Sequence, residues 1–182
     1  MFPGLDSHVY LLTFGTYGSR LHGDIRGTVD RMHNGRGEPH LARDDWRRAY
    51  ETRLMRGAPF QITPAQRAAL DVAFREVAVF REWTTLAGNI RNEHVHLVVA
   101  GEASGGAMMG TFKAYGTRRL RDLGLISADE LVWAKRGSAR ALRSDESVAV
   151  AIDYVANRQG ALLPGSGRLH QCGRDSAGDD QG

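Results

Sequence analysis

Apolar positions change their spacing several times along the chain, and each change marks an element. The run from His8 to Tyr17, HVYLLTFGTY, is dense in β-branched and aromatic residues and ends at Gly18, the pattern of a buried strand. From His22 to Phe60 the chain turns polar and glycine-rich, with a short helical stretch around Asp44 to Met55. Arginines outnumber acids there, which reads as a basic insertion lying over a surface, residues 22–60. Thr63, Pro64 and Gln66 then form a helix start: a threonine able to cap, proline at the first helical position and glutamine able to reach back. That helix runs to about Arg81, with Leu70, Phe74 and Val77 in helical period and Ala73 and Phe80 beside them.

Two strand-like runs follow, Glu82 to Ile90 and His94 to Ala100. The short joint Arg91, Asn92, Glu93 makes them an antiparallel pair. After the glycine-rich stretch 101–106, a second helix turns Met109, Phe112, Leu120 and Leu123 inward and keeps Lys113, Arg118, Arg119 and Arg121 polar. Leu131 to Leu142 reads as a strand or hairpin in which basic and apolar residues alternate. A third helix begins at Ser144, has Asp145 and Glu146 in its first turn, packs through Val148, Ala151, Ile152 and Val155, and ends near Gly160. Glycine, serine and aspartate dominate from Pro164 onward, so residues 161–182 are expected to form a disordered tail. The order strand, helix, strand, strand, helix, strand, extra helix predicts an α+β, ferredoxin-like antiparallel sheet with helices on one face and an added C-terminal helix. Residues 6–160 would make one domain.

Composition narrows the function classes. A chain of 182 residues, 42% hydrophobic, has enough material for one core. The net charge is +3 and the pI about 9.3, and of the 24 basic residues only Lys113 and Lys135 are lysines. Arginine's planar fork suits phosphate, which raises nucleic acid among the partners, although a GC-rich genome would give the same bias. Cys172 is the single cysteine, so neither a disulfide framework nor a cysteine-rich zinc site is expected. No window resembles a signal peptide or a membrane span, which makes a cytoplasmic location and no membrane partner the simplest expectation.

The chemistry concentrates at His94-Val95-His96. On a strand the two imidazoles share one side while Val95 faces the other, so both could reach one divalent ion. The apolar run Leu97, Val98, Val99 after them marks a central strand, where ionisable groups need partners.

The segments NEHVHLVV, TFKAYGTRRLR and AIDYVANRQG, with the opening SHVYLLTFGTYGSR, resemble the single-tyrosine HUH transposases of the insertion-sequence 200/605 type and their REP-associated relatives. The resemblance spans roughly residues 6–160. It implies a ferredoxin-like catalytic domain that binds Mg²⁺ or Mn²⁺ through His94 and His96, and that attacks single-stranded or hairpin DNA with Tyr154, in Asp153-Tyr154-Val155. The product would be a 5′-phosphotyrosine and a free 3′-hydroxyl. Such enzymes work within one chain or across a homodimer, and the residues here do not choose. Tyr154 falls about a third of a turn from the centre of the Val148, Ile152, Val155 stripe, at the rim of the buried face. Relatives often place a third ligand, Asn or Gln, one turn after the tyrosine. That position is Arg158, which has no lone pair to offer, so Asn157 or Gln159 beside it are the alternatives. Lys113, Arg118, Arg119, Lys135, Arg136, Arg140, Arg143 and Arg158 are the candidate DNA contacts. A domesticated module that holds hairpin DNA without cutting it is the competing expectation. A hydrolytic metalloenzyme for small substrates fits less well, because a third histidine or a carboxylate at ligand spacing is missing.

Overall fold

A computed structural model describes residues 8–19, 45–160 and 163–165. The expected tail, 161–182, and the first part of the expected basic insertion lie almost entirely outside these residues. In chain order the elements are β1 (His8–Thr16), α1 (Asp45–Leu54), α2 (Pro64–Phe80), β2 (Thr84–Ile90), β3 (His94–Gly101), α3 (Gly105–Asp122), β4 (Trp133–Leu142) and α4 (Asp145–Asn157). The sheet order is β2-β3-β1-β4 and every neighbouring pair is antiparallel. With α2 between β1 and β2, and α3 between β3 and β4, this is the ferredoxin-like order that the hydrophobic periods predict.

The two faces of the sheet carry different helices. Leu12 and Phe14 of β1 and Val95, Leu97 and Val99 of β3 pack against α2 and α3 through Leu70, Phe74, Val77, Met108, Phe112 and Leu120. Strand alternation sends Val9, Val98 and Ala100 to the other side, where α4 lays down Val148, Ala151 and Val155. β3 is therefore covered twice, which is why its sequence reads as an unbroken apolar run after the histidines.

Local chemistry sets the element boundaries. Thr63 caps α2: its hydroxyl accepts from the Gln66 amide at 3.3 Å, and Gln66 Oε1 accepts from the Thr63 amide at 2.9 Å. Ser144 and Ser147 do the same for α4. β2 starts at Thr84 rather than Glu82, because the chain leaves α2 through a left-handed residue, Glu82 at φ 57°. The Trp83 amide there donates back to the Ala78 carbonyl at 2.8 Å. β4 is a single strand, since its ladder with β1 runs from Leu142 to Trp133 with one irregularity.

Helix α3 corrects the expected stripe. Met108, Phe112, Gly116 and Leu120, spaced by four, are its buried positions; Met109 is half-buried and Leu123, the C-cap, is 52% exposed. Gly116 allows the close approach to α2, because a Cβ there would lie 2.8 Å from Leu70 Cδ2 and 3.1 Å from Phe74 Cε1. Phe80, expected beside the α2 stripe, is 69% exposed in the helix's last turn, where the sheet no longer lies beneath it.

Arg67 is the largest of the fully buried side chains, at 1% exposure. Its guanidinium donates to the carbonyls of Ile62, Ile90 and Pro164 and to Asn92 Oδ1. It thus ties the entry to α2, the end of β2 and the β2–β3 turn together, just before His94. Burial, and after it the Arg91 charge, lower its pKa from the ordinary arginine value. Replacing Arg67 by Met should leave these acceptors without a donor and lower the unfolding free energy by about 3 kcal/mol or more. The midpoint of urea unfolding reads this directly, and an unchanged midpoint would mean that water replaces the guanidinium.

Candidate active site

The strand register brings three polar side chains into one row. His96 of β3 lies directly opposite Thr13 of β1 on one side and Asn89 of β2 on the other. Residues opposed across antiparallel strands share a face, with Cβ atoms about 5 Å apart. This is the face that carries α4. Thr13 Oγ1 lies 2.9 Å from His96 Nδ1. When Nδ1–H donates to that hydroxyl, Nε2 keeps its lone pair, the tautomer that metal ligation requires. His94 stands two residues earlier on the same face, its ring centroid 4.8 Å from that of His96.

Helix α4 supplies the phenol. Val148, Ala151 and Val155 anchor it to the sheet, and Tyr154 sits on the flank of that stripe, 40% exposed. Its ring meets His96 edge-on, with centroids 5.7 Å apart and planes at 80°. Residues 58 positions apart in sequence are thus in ring contact on one face. Asn89, 3% exposed, donates through Nδ2 to the Val155 carbonyl at 3.3 Å and ties the tyrosine helix to β2, while its Oδ1 is buried without a partner.

Arg158 and the two alternatives for a ligand after the tyrosine, Asn157 and Gln159, fall at the end of α4. Asn157 Nδ2 donates to Asp153 Oδ1 at 2.9 Å, and Arg158 Nε to Asp153 Oδ2 at 2.7 Å. These bonds, that from Asn157 first, hold the Asp153 carboxyl below its usual range. Asn157 and Arg158 are exposed; Gln159, past the last turn, is half-buried. Arg158 caps the helix, its backbone amide donating to the Tyr154 carbonyl at 3.2 Å.

The basic candidates divide between the two faces. Arg140 lies opposite Leu11 and Ser138 opposite Thr13, so these two are exposed on the histidine face. Lys135 and Arg136 are exposed where the register of the same strand shifts, and Arg143 lies in the link to α4. Lys113, Arg118 and Arg119 belong to α3, beneath the opposite face. Lys113 Nζ donates to the carbonyls of Ala134 and Arg136 and sits 5.5 Å over the Phe14 ring; burial lowers its pKa. Arg118 lies 4.3 Å over the Tyr115 ring, and Arg119 is 3.7 Å from Glu76.

His94 and His96 place two imidazoles on this face. Among the described residues no group of three His, Cys, Asp or Glu side chains could hold a metal. The orphaned Asn89 Oδ1 lies in the same row, and a mixed set of imidazole and oxygen donors suits Mn²⁺ with bound water. Thr13 and Asn89 are the site residues that sequence reading passed over. Thr13 carries no signal without the register, whereas a lone Asn inside LAGNI, a strand that disfavours it, does.

No family model matches the chain, and no curated protein does. Among solved structures it is similar to a REP-associated tyrosine transposase bound to a REP hairpin, at 14% identity and a TM-score of 0.48. The match covers 81% of this chain and 64% of that one, so the chain spans less than two thirds of that protein's length. No helix among the described residues is long and apolar enough to cross a membrane.

Thr13→Val should remove the hydroxyl at His96 Nδ1. Two-dimensional ¹⁵N NMR of the imidazole nitrogens should show the Nδ1–H form in the wild type and a smaller share of that form in the variant. Identical spectra would mean that the hydroxyl does not set the tautomer.

Proposed function

We propose that this chain is a metal-dependent single-tyrosine DNA nicking and strand-transfer enzyme of the HUH transposase type, acting on single-stranded or hairpin DNA. The observation that carries the reading is the ring contact between Tyr154 and His96, beside His94, on one face of the sheet. Two potential ligands and one partly exposed phenol, brought together from separate elements, are the parts that phosphodiester transfer needs.

Tyr154 Oη would attack the scissile phosphorus, forming the Oη–P bond as the P–O3′ bond breaks. The tyrosine proton passes to solvent and the leaving 3′ oxygen takes up a proton, giving a 5′-phosphotyrosine and a free 3′-hydroxyl. A 3′-hydroxyl of a second DNA end can then attack that phosphorus and expel the phenoxide, so strands are joined without a nucleotide cofactor. A phenol with a free pKa of about 10 is a weak nucleophile at neutral pH. When bound by His94 and His96, Mg²⁺ or Mn²⁺ would polarise the phosphate and offset its charge in the transition state. Thr13 holds the His96 tautomer, and the packing of Val155 and Ala151 holds the tyrosine in reach. The strand would run over the open part of the same face, past Arg140 and the exposed Arg136 of β4, with Arg158 beside the phenol.

A second reading, a module that binds hairpin DNA without cutting it, draws on Arg158 standing where relatives often carry a ligand. The two separate in one experiment. Purified protein is mixed with a labelled single-stranded hairpin oligonucleotide and Mn²⁺, and denaturing electrophoresis detects a covalent adduct. The wild type should form the adduct and Tyr154→Phe should abolish it. Binding without any adduct selects the module, and an adduct that survives Tyr154→Phe rejects Tyr154 as nucleophile.

The basic strip makes its own prediction. Arg136→Ala with Arg140→Ala should weaken hairpin binding across unrelated sequences and reduce the slope of log K against log salt by about 2, roughly one per phosphate contact. Fluorescence anisotropy at several salt concentrations measures the slope, and an unchanged value would remove the strip from the DNA path.

A further inference from the structure

We propose that Asn89 completes the divalent-cation site of His94 and His96, with its Oδ1 as a protein ligand supplied from β2 rather than from the tyrosine helix. This rests on the metal-dependent reading of the histidine pair. A buried carbonyl oxygen without a partner is costly, and Asn89 Oδ1 is such an atom in a side chain 3% exposed. Its identity as oxygen is settled by chemistry: the other amide atom faces the Val155 carbonyl, which only accepts, so the nitrogen must be there. The strand pairing sets Asn89 directly across from His96 on the same face.

On the tyrosine helix the polar groups nearest the expected ligand position bond to one another, and Gln159 lies past the last turn. Arg158 has no lone pair and is bound to Asp153, and the exposed Asn157 donates its amide to the same carboxylate. An amide oxygen is a neutral, hard donor of the kind Mn²⁺ and Mg²⁺ accept alongside water. The same amide would then serve both halves of the site. Its oxygen meets the ion, and its nitrogen grips the carbonyl of Val155, the residue next to Tyr154.

Titration calorimetry of the full chain with MnCl₂, checked by the electron paramagnetic resonance signal of free Mn²⁺, tests this without any DNA reaction. Two substitutions separate ligation from tethering, since both remove the donor to Val155 while one keeps an oxygen. Asn89→Leu should weaken Mn²⁺ binding about tenfold or more. Asn89→Asp should bind Mn²⁺ more tightly than the wild type. Equal weakening in both variants would show a tether only and overturn the proposal, as would a smaller loss in Asn89→Leu. Should Asn89→Leu fail a thermal-melt check of folding, Asn89→Asp decides alone, and unchanged or weaker binding overturns the proposal. Mn²⁺ binding that is lost in His96→Ala yet intact in Asn89→Leu would overturn the role of Asn89 and leave the histidine pair standing. No binding by the wild type would overturn both.

Discussion

The register of β3 between β1 and β2 is the constraint on which the candidate site depends. Side chains alternate along a strand, so a slip of one residue would carry His94 and His96 into the α2–α3 core and bring Val95 and Leu97 out beneath α4. Both faces of β3 oppose that slip. Val95, Leu97 and Val99 fill one core, Val98 and Ala100 the other, and all five are essentially inaccessible. The apolar positions that look least concerned with chemistry therefore decide where the imidazoles point. Arg67 reinforces the effect from outside the strand, since its guanidinium holds the carbonyl of Ile90 and the side chain of Asn92 in the turn just before His94.

The tyrosine is held more lightly than the histidines. α4 rests on the sheet through Val148, Ala151, Val155 and the partly buried Ile152, the Tyr154 ring against His96 and one hydrogen bond from Asn89, whereas His96 is fixed in a strand paired on both sides. Elements with few buried contacts are those that move at low cost in a native protein. In the proposed reaction a rigid histidine pair and a more lightly seated Tyr154 would suit a phenol that stays bonded to DNA while a second end approaches. Such an end would enter over the open part of the histidine face, along β1 and β4, where Ser138 and Arg140 are exposed.

Much of this was legible in the sequence, because the periods are clean. Thr63, Pro64 and Gln66 announced α2, the strict alternation of His94 and His96 put both rings on one face, and the Val148, Ala151, Val155 stripe put Tyr154 at its rim. What could not be read was pairing between distant segments. Thr13 becomes a partner of His96 only through an antiparallel register 83 residues apart, and Asn89 acquires meaning only when α4 is seen to cover it. The same limit explains the basic residues. Lys113 and Arg140 look equivalent in sequence, yet Lys113 stitches α3 to the backbone of β4 while Arg140 is exposed on the histidine side. The α3 stripe was misjudged at Met109 and Leu123 because the helix packs on α2 through Gly116, which shifts the buried line to Met108.

Asp153 immediately precedes Tyr154, and in the proposed reaction a bare carboxylate there would repel the phosphate that the phenol would have to reach. The structure answers with two donors, Asn157 and Arg158, which keep Asp153 ionised but compensated and lower its pKa. A group whose folded pKa is depressed stabilises the fold above its unfolded pKa, and that contribution is lost as pH falls through the lowered value. The compensation is therefore complete at neutral pH, where DNA is also fully charged. Arg158 stands one turn past the tyrosine and is bound to the Asp153 carboxylate. On the proposed reading a further metal donor would then come from the sheet, where Asn89 lies opposite His96.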